Sequence, residues 1–149
     1  MKHKLLIFIA MLFGAVSLVF AAGDLSRNKP ESVVIEMGTT GKAMYFKPNH
    51  LDFETGKAYK IVLKNVDTTK HELESPEFSE KVFTRKVEVK DENGKMLAEI
   101  KGSVREIEVG PKGEVEWFVV PVQTGENLEM NCALPGHKEA GMYGTISIK

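Results

Sequence analysis

A chain of 149 residues, 42% hydrophobic and 28% charged, has the size and balance of one globular domain. Its 20 basic and 21 acidic side chains give a formal charge of −1, which provides no basic face for nucleic acid, and no nucleic-acid partner is expected. There is no internal repeat and no low-complexity segment.

The N-terminus departs from this average. Lys2 and Lys4 precede an uncharged apolar run from Leu5 to Phe20, followed by Ala21, Ala22 and Gly23. This is the order of a basic region, an apolar region and a small-residue cleavage site. Residues 1–21 are therefore read as a signal peptide cut after Ala21, residues 22–31 as a polar leader, and residues 32–149 as the folded domain. Export would place that domain in the periplasm or another extracytoplasmic compartment. Membrane attachment is expected only if the apolar run, close to the roughly 20 residues of a spanning helix, is kept as an anchor. Without Lys2 and Lys4, 18 basic residues face 21 acidic ones, a formal charge of −3.

Beyond the leader, β-branched and aromatic residues alternate with period two between turn signals, which predicts strands rather than helices. Strands are expected over Ser32–Met37, Ala43–Phe46, Lys57–Val66, Lys70–Ser75, Val82–Lys90, Lys95–Lys101, Val104–Val109, Glu114–Pro121, Glu126–Cys132 and Tyr143–Lys149. Glu54-Thr55-Gly56, Asn93-Gly94, Gly110-Pro111-Lys112-Gly113 and Gln123-Thr124-Gly125 supply the turn chemistry between them. Many short strands at this spacing predict an all-β, antiparallel sandwich. The stretch from Pro76 to Lys101 reads as an elaboration on it, with a short helical turn near Pro76 to Lys81.

Cys132 is the only cysteine. In an oxidising compartment, where cysteines normally pair, such a residue is inert and buried, joined to another molecule, or bound to a metal. Its surroundings favour the metal. From Cys132 the chain reads Ala-Leu-Pro-Gly-His137-Lys-Glu-Ala-Gly-Met142, so a thiol, an imidazole and a thioether recur at intervals of five. Period two puts Leu128, Met130 and Cys132 on one face of the incoming strand, and Met142 on the same face as Gly144, Ile146 and Ile148 of the outgoing one. Leu134-Pro135-Gly136 can double the chain back to present His137. In Lys70-His71-Glu72-Leu73-Glu74, His71 shares a face with Leu73, which turns it inward and leaves Glu72 and Glu74 facing solvent.

Two imidazoles, a thiolate and a thioether suit one copper ion in both of its oxidation states, since the sulfur donors favour Cu(I) and imidazole accepts either. The predicted metal ligands are His71, Cys132, His137 and Met142. His50, between Asn49 and Leu51, is read as a loop residue outside the site, and Trp117, in step with Val115 and Val119, as core.

These residues resemble the cupredoxins, the plastocyanin and azurin family. The likeness includes Phe46-Lys-Pro48, the run from Gly56 through Asn65 to His71, and Glu106-Ile-Glu-Val-Gly110-Pro-Lys-Gly-Glu-Val-Glu-Trp-Phe before Pro121 and Gly125. The spacing from Cys132 to His137 to Met142 is most similar to that of rusticyanin and auracyanin. The resemblance implies a Greek-key cupredoxin sandwich, a mononuclear type 1 copper site, and single-electron transfer between a redox donor and an acceptor by a monomer. A copper carrier or copper-resistance protein using the same ligands is the alternative. No enzyme activity is expected. Where many family members have asparagine or serine after the first histidine ligand, this chain has Glu72, whose ionised carboxylate cannot donate a hydrogen bond.

Overall fold

A computed structural model of the chain describes residues 28–91 and 93–149; the expected signal peptide and most of the leader lie outside them. Among the described residues the order is β1 (Glu31–Thr40), β2 (Ala43–Lys47), β3 (His50–Phe53), β4 (Tyr59–Asn65), β5 (His71–Glu74), α1 (Pro76–Glu80), β6 (Val82–Lys90), β7 (Met96–Ile100), β8 (Glu106–Val109), β9 (Glu114–Pro121), β10 (Gly125–Asn131) and β11 (Tyr143–Ile148). No described helix is long and apolar enough to cross a membrane.

The strands form two sheets, β2-β1-β4-β9-β6-β7 and β3-β11-β10-β5-β8. Ile35, Met37, Ile61, Leu63, Trp117 and Val119 of the first are buried in one core with Leu51, Phe53, Leu73, Leu128, Met130, Ile146 and Ile148 of the second. Alternation along each strand puts these side chains on the inner face, as the period-two reading requires. Pro76 opens α1 at a position where its missing N–H costs nothing, and Phe78 seals the core with its ring centroid 5.5 Å from Trp117 and 5.4 Å from Phe53.

Three expectations are corrected. The all-β sandwich is present, but its sheets are mixed: β1 runs parallel to β4, and β3 parallel to β11. A parallel pair needs a crossover rather than a hairpin, and β2 and β3 supply it between β1 and β4. β3 itself was not expected. Its four residues are too short for a periodic signal, although Leu51 and Phe53 point inward while His50 and Asp52 are exposed. Finally, β6 is no elaboration: it lies between β9 and β7 with Val82 and Val87 buried. Only β7 stands outside the core, exposed along its whole length. Its Glu99 pairs with Lys86 and Lys101, and charges of this kind discourage edge-to-edge association.

β3 and β11 approach closely at Gly144, where a Cβ would lie 2.1 Å from the Asn49 carbonyl oxygen and 2.6 Å from Met130 Cε. Gly144→Ala is expected to destabilise the fold by about 3 kcal/mol, the upper end of overpacking costs, because the nearest obstacle is backbone. A urea midpoint equal to that of the parent protein would refute this close packing.

Candidate metal centre

The site forms where β10 and β5 part. These antiparallel neighbours share a single register pair, Asn131 with Glu74. One residue further on, the Glu72 N–H donates to Cys132 Sγ at 3.3 Å, so the thiol takes the place of further strand pairing. Cys132 and Met142 are both fully buried, as their facing predicts.

The connection between β10 and β11 is tied to itself. The Cys132 N–H donates to the Met142 carbonyl at 3.1 Å, and the Met142 N–H to the His137 carbonyl at 3.0 Å. The turn expected at Leu134-Pro135-Gly136 is closed by the His137 N–H on the Leu134 carbonyl at 3.1 Å, with Gly136 at φ 83°. That φ is open to glycine at no steric cost. The Met44 N–H donates to Ala140 O at 2.9 Å, joining β2 to the loop. His137 is left half-buried at the rim.

His71 reaches the same place from β5 and is fully buried. Its Nδ1 lies 3.3 Å from His137 Nδ1, which lies 3.2 Å from Cys132 Sγ. The connection before His71 is fixed by buried Asn65, whose Nδ2 donates to the carbonyls of Thr69, Val109 and Gly110 at 2.7, 2.9 and 3.1 Å. Asn65 Oδ1 accepts from the Asp67 N–H at 2.8 Å. Asp67 then turns its carboxylate to the far side of His71, with Oδ2 2.7 Å from Nε2 and accepting from Thr39 Oγ1 at 2.5 Å.

Of the four predicted ligands, the structure brings His71, Cys132 and His137 together, their donor atoms all within 4.8 Å of one another. A single ion with bonds of about 2.0–2.3 Å would span the 3.3 and 3.2 Å separations of His137 Nδ1 from His71 Nδ1 and Cys132 Sγ. Met142 is hydrogen-bonded to the other two loop residues through its backbone, and its side chain is fully buried. The donor set, two nitrogens and two soft sulfurs, fits copper. His50 stands apart, as expected, although it opens a strand: its Nδ1 lies 2.7 Å from Thr145 Oγ1 and its Nε2 3.4 Å from Asp52. Asn65, Asp67 and Thr39 were not singled out in the sequence. The one available sign was the acid four positions before His71.

Burial governs the charges here. It pushes the Cys132 thiol above its ordinary pKa, although the Glu72 and Leu134 amides favour the thiolate. Burial, then His71, holds His137 below the usual imidazole value, so its ring is available as a neutral donor. For Asp67 burial works against ionisation, but the bonds from Thr39 and His71 outweigh it and hold the carboxyl below its normal range.

Glu72 does not face solvent as its alternation suggested: it is 7% exposed on an interior strand opposite Glu108 of β8. Burial, Glu106 and Glu108 raise its pKa, whereas Lys70, and a hydrogen bond from Glu72, lower that of Glu108. Glu72 thus holds a proton more readily than a free carboxyl, and when protonated it can donate to Glu108. At low pH both folded and unfolded chains carry this proton. As pH rises through the ordinary carboxylate range the unfolded chain releases it first, and the fold loses stability. Glu72→Gln keeps a donor without a proton to hold. Its metal-free form is expected to gain stability over the parent as pH rises from about 4 to 7, and a difference in urea midpoint that stays constant over this range would refute the assignment.

The resemblance seen in the sequence extends to known proteins. Residues 33–149 match the copper binding proteins of the plastocyanin/azurin family. The chain is 23% identical over 177 residues to the copper-resistant cuproprotein CopI of Pseudomonas aeruginosa, covering 97% of this chain and 94% of that one. Its fold is similar to a multicopper oxidase from Campylobacter jejuni (TM-score 0.60, 16% identity, 82% of this chain) and a copper-containing nitrite reductase from Thermus scotoductus (TM-score 0.63, 14% identity, 84%). It spans only 31% and 32% of those two chains, and at such identities the likeness is one of fold alone. A family match that begins within β1 and runs to the last residue settles the membership: the chain belongs to the plastocyanin/azurin family of copper-binding proteins.

Proposed function

We propose that the protein is an exported carrier of single electrons, holding one copper ion with His71, Cys132, His137 and Met142 and cycling it between Cu(II) and Cu(I). The observation that supports this most directly is the convergence of His71, Cys132 and His137 from two separate segments within 4.8 Å, with Met142 buried at the end of the same loop. Two imidazoles, a thiolate and a weak thioether would be acceptable to a bound copper in both oxidation states, so these residues would have to move little when an electron arrives. Four protein donors leave no open position for a substrate, and the reading is of a carrier rather than an enzyme.

Electrons would enter and leave through His137, the half-buried ligand, whereas His71 is enclosed. Leu134 and Ala140, both half-buried, and exposed Pro135 surround it with apolar surface. A small dry patch of this kind suits brief contact with a redox donor and an acceptor. Lys138 is neutralised by Glu129 at 2.6 Å, which limits steering by charge. Copper delivery or sequestration with the same four residues is a second reading, favoured by the likeness to a copper-resistant cuproprotein.

The copper-loaded protein is expected to show an intense visible thiolate-to-copper band that bleaches reversibly on reduction; a colourless protein that holds only Cu(I) would favour delivery. Cys132→Ser should abolish the band, and Met142→Gln, with its harder oxygen donor, should lower the reduction potential. A band that survives loss of the thiol would overturn the ligand assignment. Leu134→Lys is expected to slow electron self-exchange about tenfold at low salt, by repulsion across the contact, with partial recovery in high salt. Unchanged self-exchange would move the electron route to another face.

A further inference from the structure

We infer that Asp67 is a positioning residue of the metal centre: its carboxylate fixes the tautomer and orientation of His71 and biases the bound copper toward Cu(II). The inference rests on His71 being a copper ligand, and its starting point is geometric. A neutral imidazole carries its proton on one ring nitrogen and a lone pair on the other. His71 Nε2 lies 2.7 Å from Asp67 Oδ2, and a carboxylate can only accept, so the ring proton belongs on Nε2. Nδ1 is left with its lone pair on the side of His137 and Cys132.

Asp67 is itself held from two directions. Its N–H is bonded to Asn65 Oδ1 and its Oδ2 receives the Thr39 hydroxyl, so carboxylate and ring form a braced unit linking β1, the connection after β4, and β5. His71 is fully buried, so its Nε2 is not open to bulk solvent in place of the acid. A carboxylate on the outer nitrogen makes an imidazole a more basic ligand. Its negative charge, in surroundings of low dielectric, stabilises the more positive of two metal states. The site therefore has an anionic contact beyond the donors themselves, reached through a ligand from the edge of the fold, where Asp67 is 19% exposed.

Two measurements test this, one without copper. In the metal-free protein, long-range ¹H–¹⁵N spectra should show His71 protonated at Nε2, and Asp67→Ala should abolish the strong preference for that tautomer. Protonation at Nδ1 in the parent, or an unchanged tautomer in the variant, would overturn the positioning role. In the copper-loaded protein, Asp67→Asn keeps an acceptor oxygen and nearly the same shape while removing the charge. It should retain the visible band and raise the potential by about 59 mV, which corresponds to a tenfold loss of Cu(II) affinity relative to Cu(I). A merely structural role would leave that potential unmoved, and this result would overturn the charge bias. Thr39→Val, which frees one side of the carboxylate, should shift the potential less. If the parent itself gave no copper-thiolate band, the copper reading would fall, while the tautomer measurement would still decide what Asp67 does to His71.

Discussion

The metal centre depends on the separation of β10 from β5. Two neighbouring strands that continued their ladder would use the Glu72 amide for a backbone carbonyl and leave no room for a side chain between them. Their pairing stops after one register position, and the amide serves Cys132 Sγ instead. The bond joins residues 60 positions apart, sets the thiol against His71, and frees the following residues to form the loop that carries His137 and Met142. A sulfur is a weak acceptor while protonated and a stronger one as thiolate, so the same contact becomes more favourable when a metal displaces the proton.

Charge and burial are balanced accordingly. Burial keeps the Cys132 thiol protonated in the absence of a metal and lowers the affinity of His137 for a proton. Binding an ion therefore costs the release of one proton from sulfur, while the lowered pKa of His137 favours the neutral ring that a metal needs. On β5, beside Glu108, burial and the neighbouring acids raise the pKa of the Glu72 carboxyl, which favours a proton shared toward Glu108. A protonated Glu72 can make the donor bond that an ionised one cannot, but toward β8 and not toward the loop of Cys132. The two ligand segments are joined instead by the backbone of the same residue.

Around the site, the sandwich supplies rigidity rather than chemistry. Trp117, Phe78, Phe53 and Tyr59 pack edge to face or tilted across the core, and the two amide hydrogens of Asn65, shared among the carbonyls of Thr69, Val109 and Gly110, tie the connection before His71 to the end of β8. A buried amide satisfied in this way holds irregular backbone in one arrangement. The proposed role as an electron carrier would draw on such support, because a donor that drifts would have to be returned with each electron.

The sequence by itself determined the facing of Cys132, Met142 and His71, the turn at Leu134-Pro135-Gly136, and the enclosure of Trp117. Each follows from local rules: the period of a strand, the φ that glycine tolerates, the fixed ring of proline. The tertiary structure alone decided that Glu72 is buried beside Glu108, that Asp67 holds the outer nitrogen of His71, and that β3 lies parallel to β11. Alternation tells which side of its own strand a residue takes, and not what covers that side or which strand comes next. Those answers depend on residues distant in the chain, whose approach is fixed only when the two sheets close on one core.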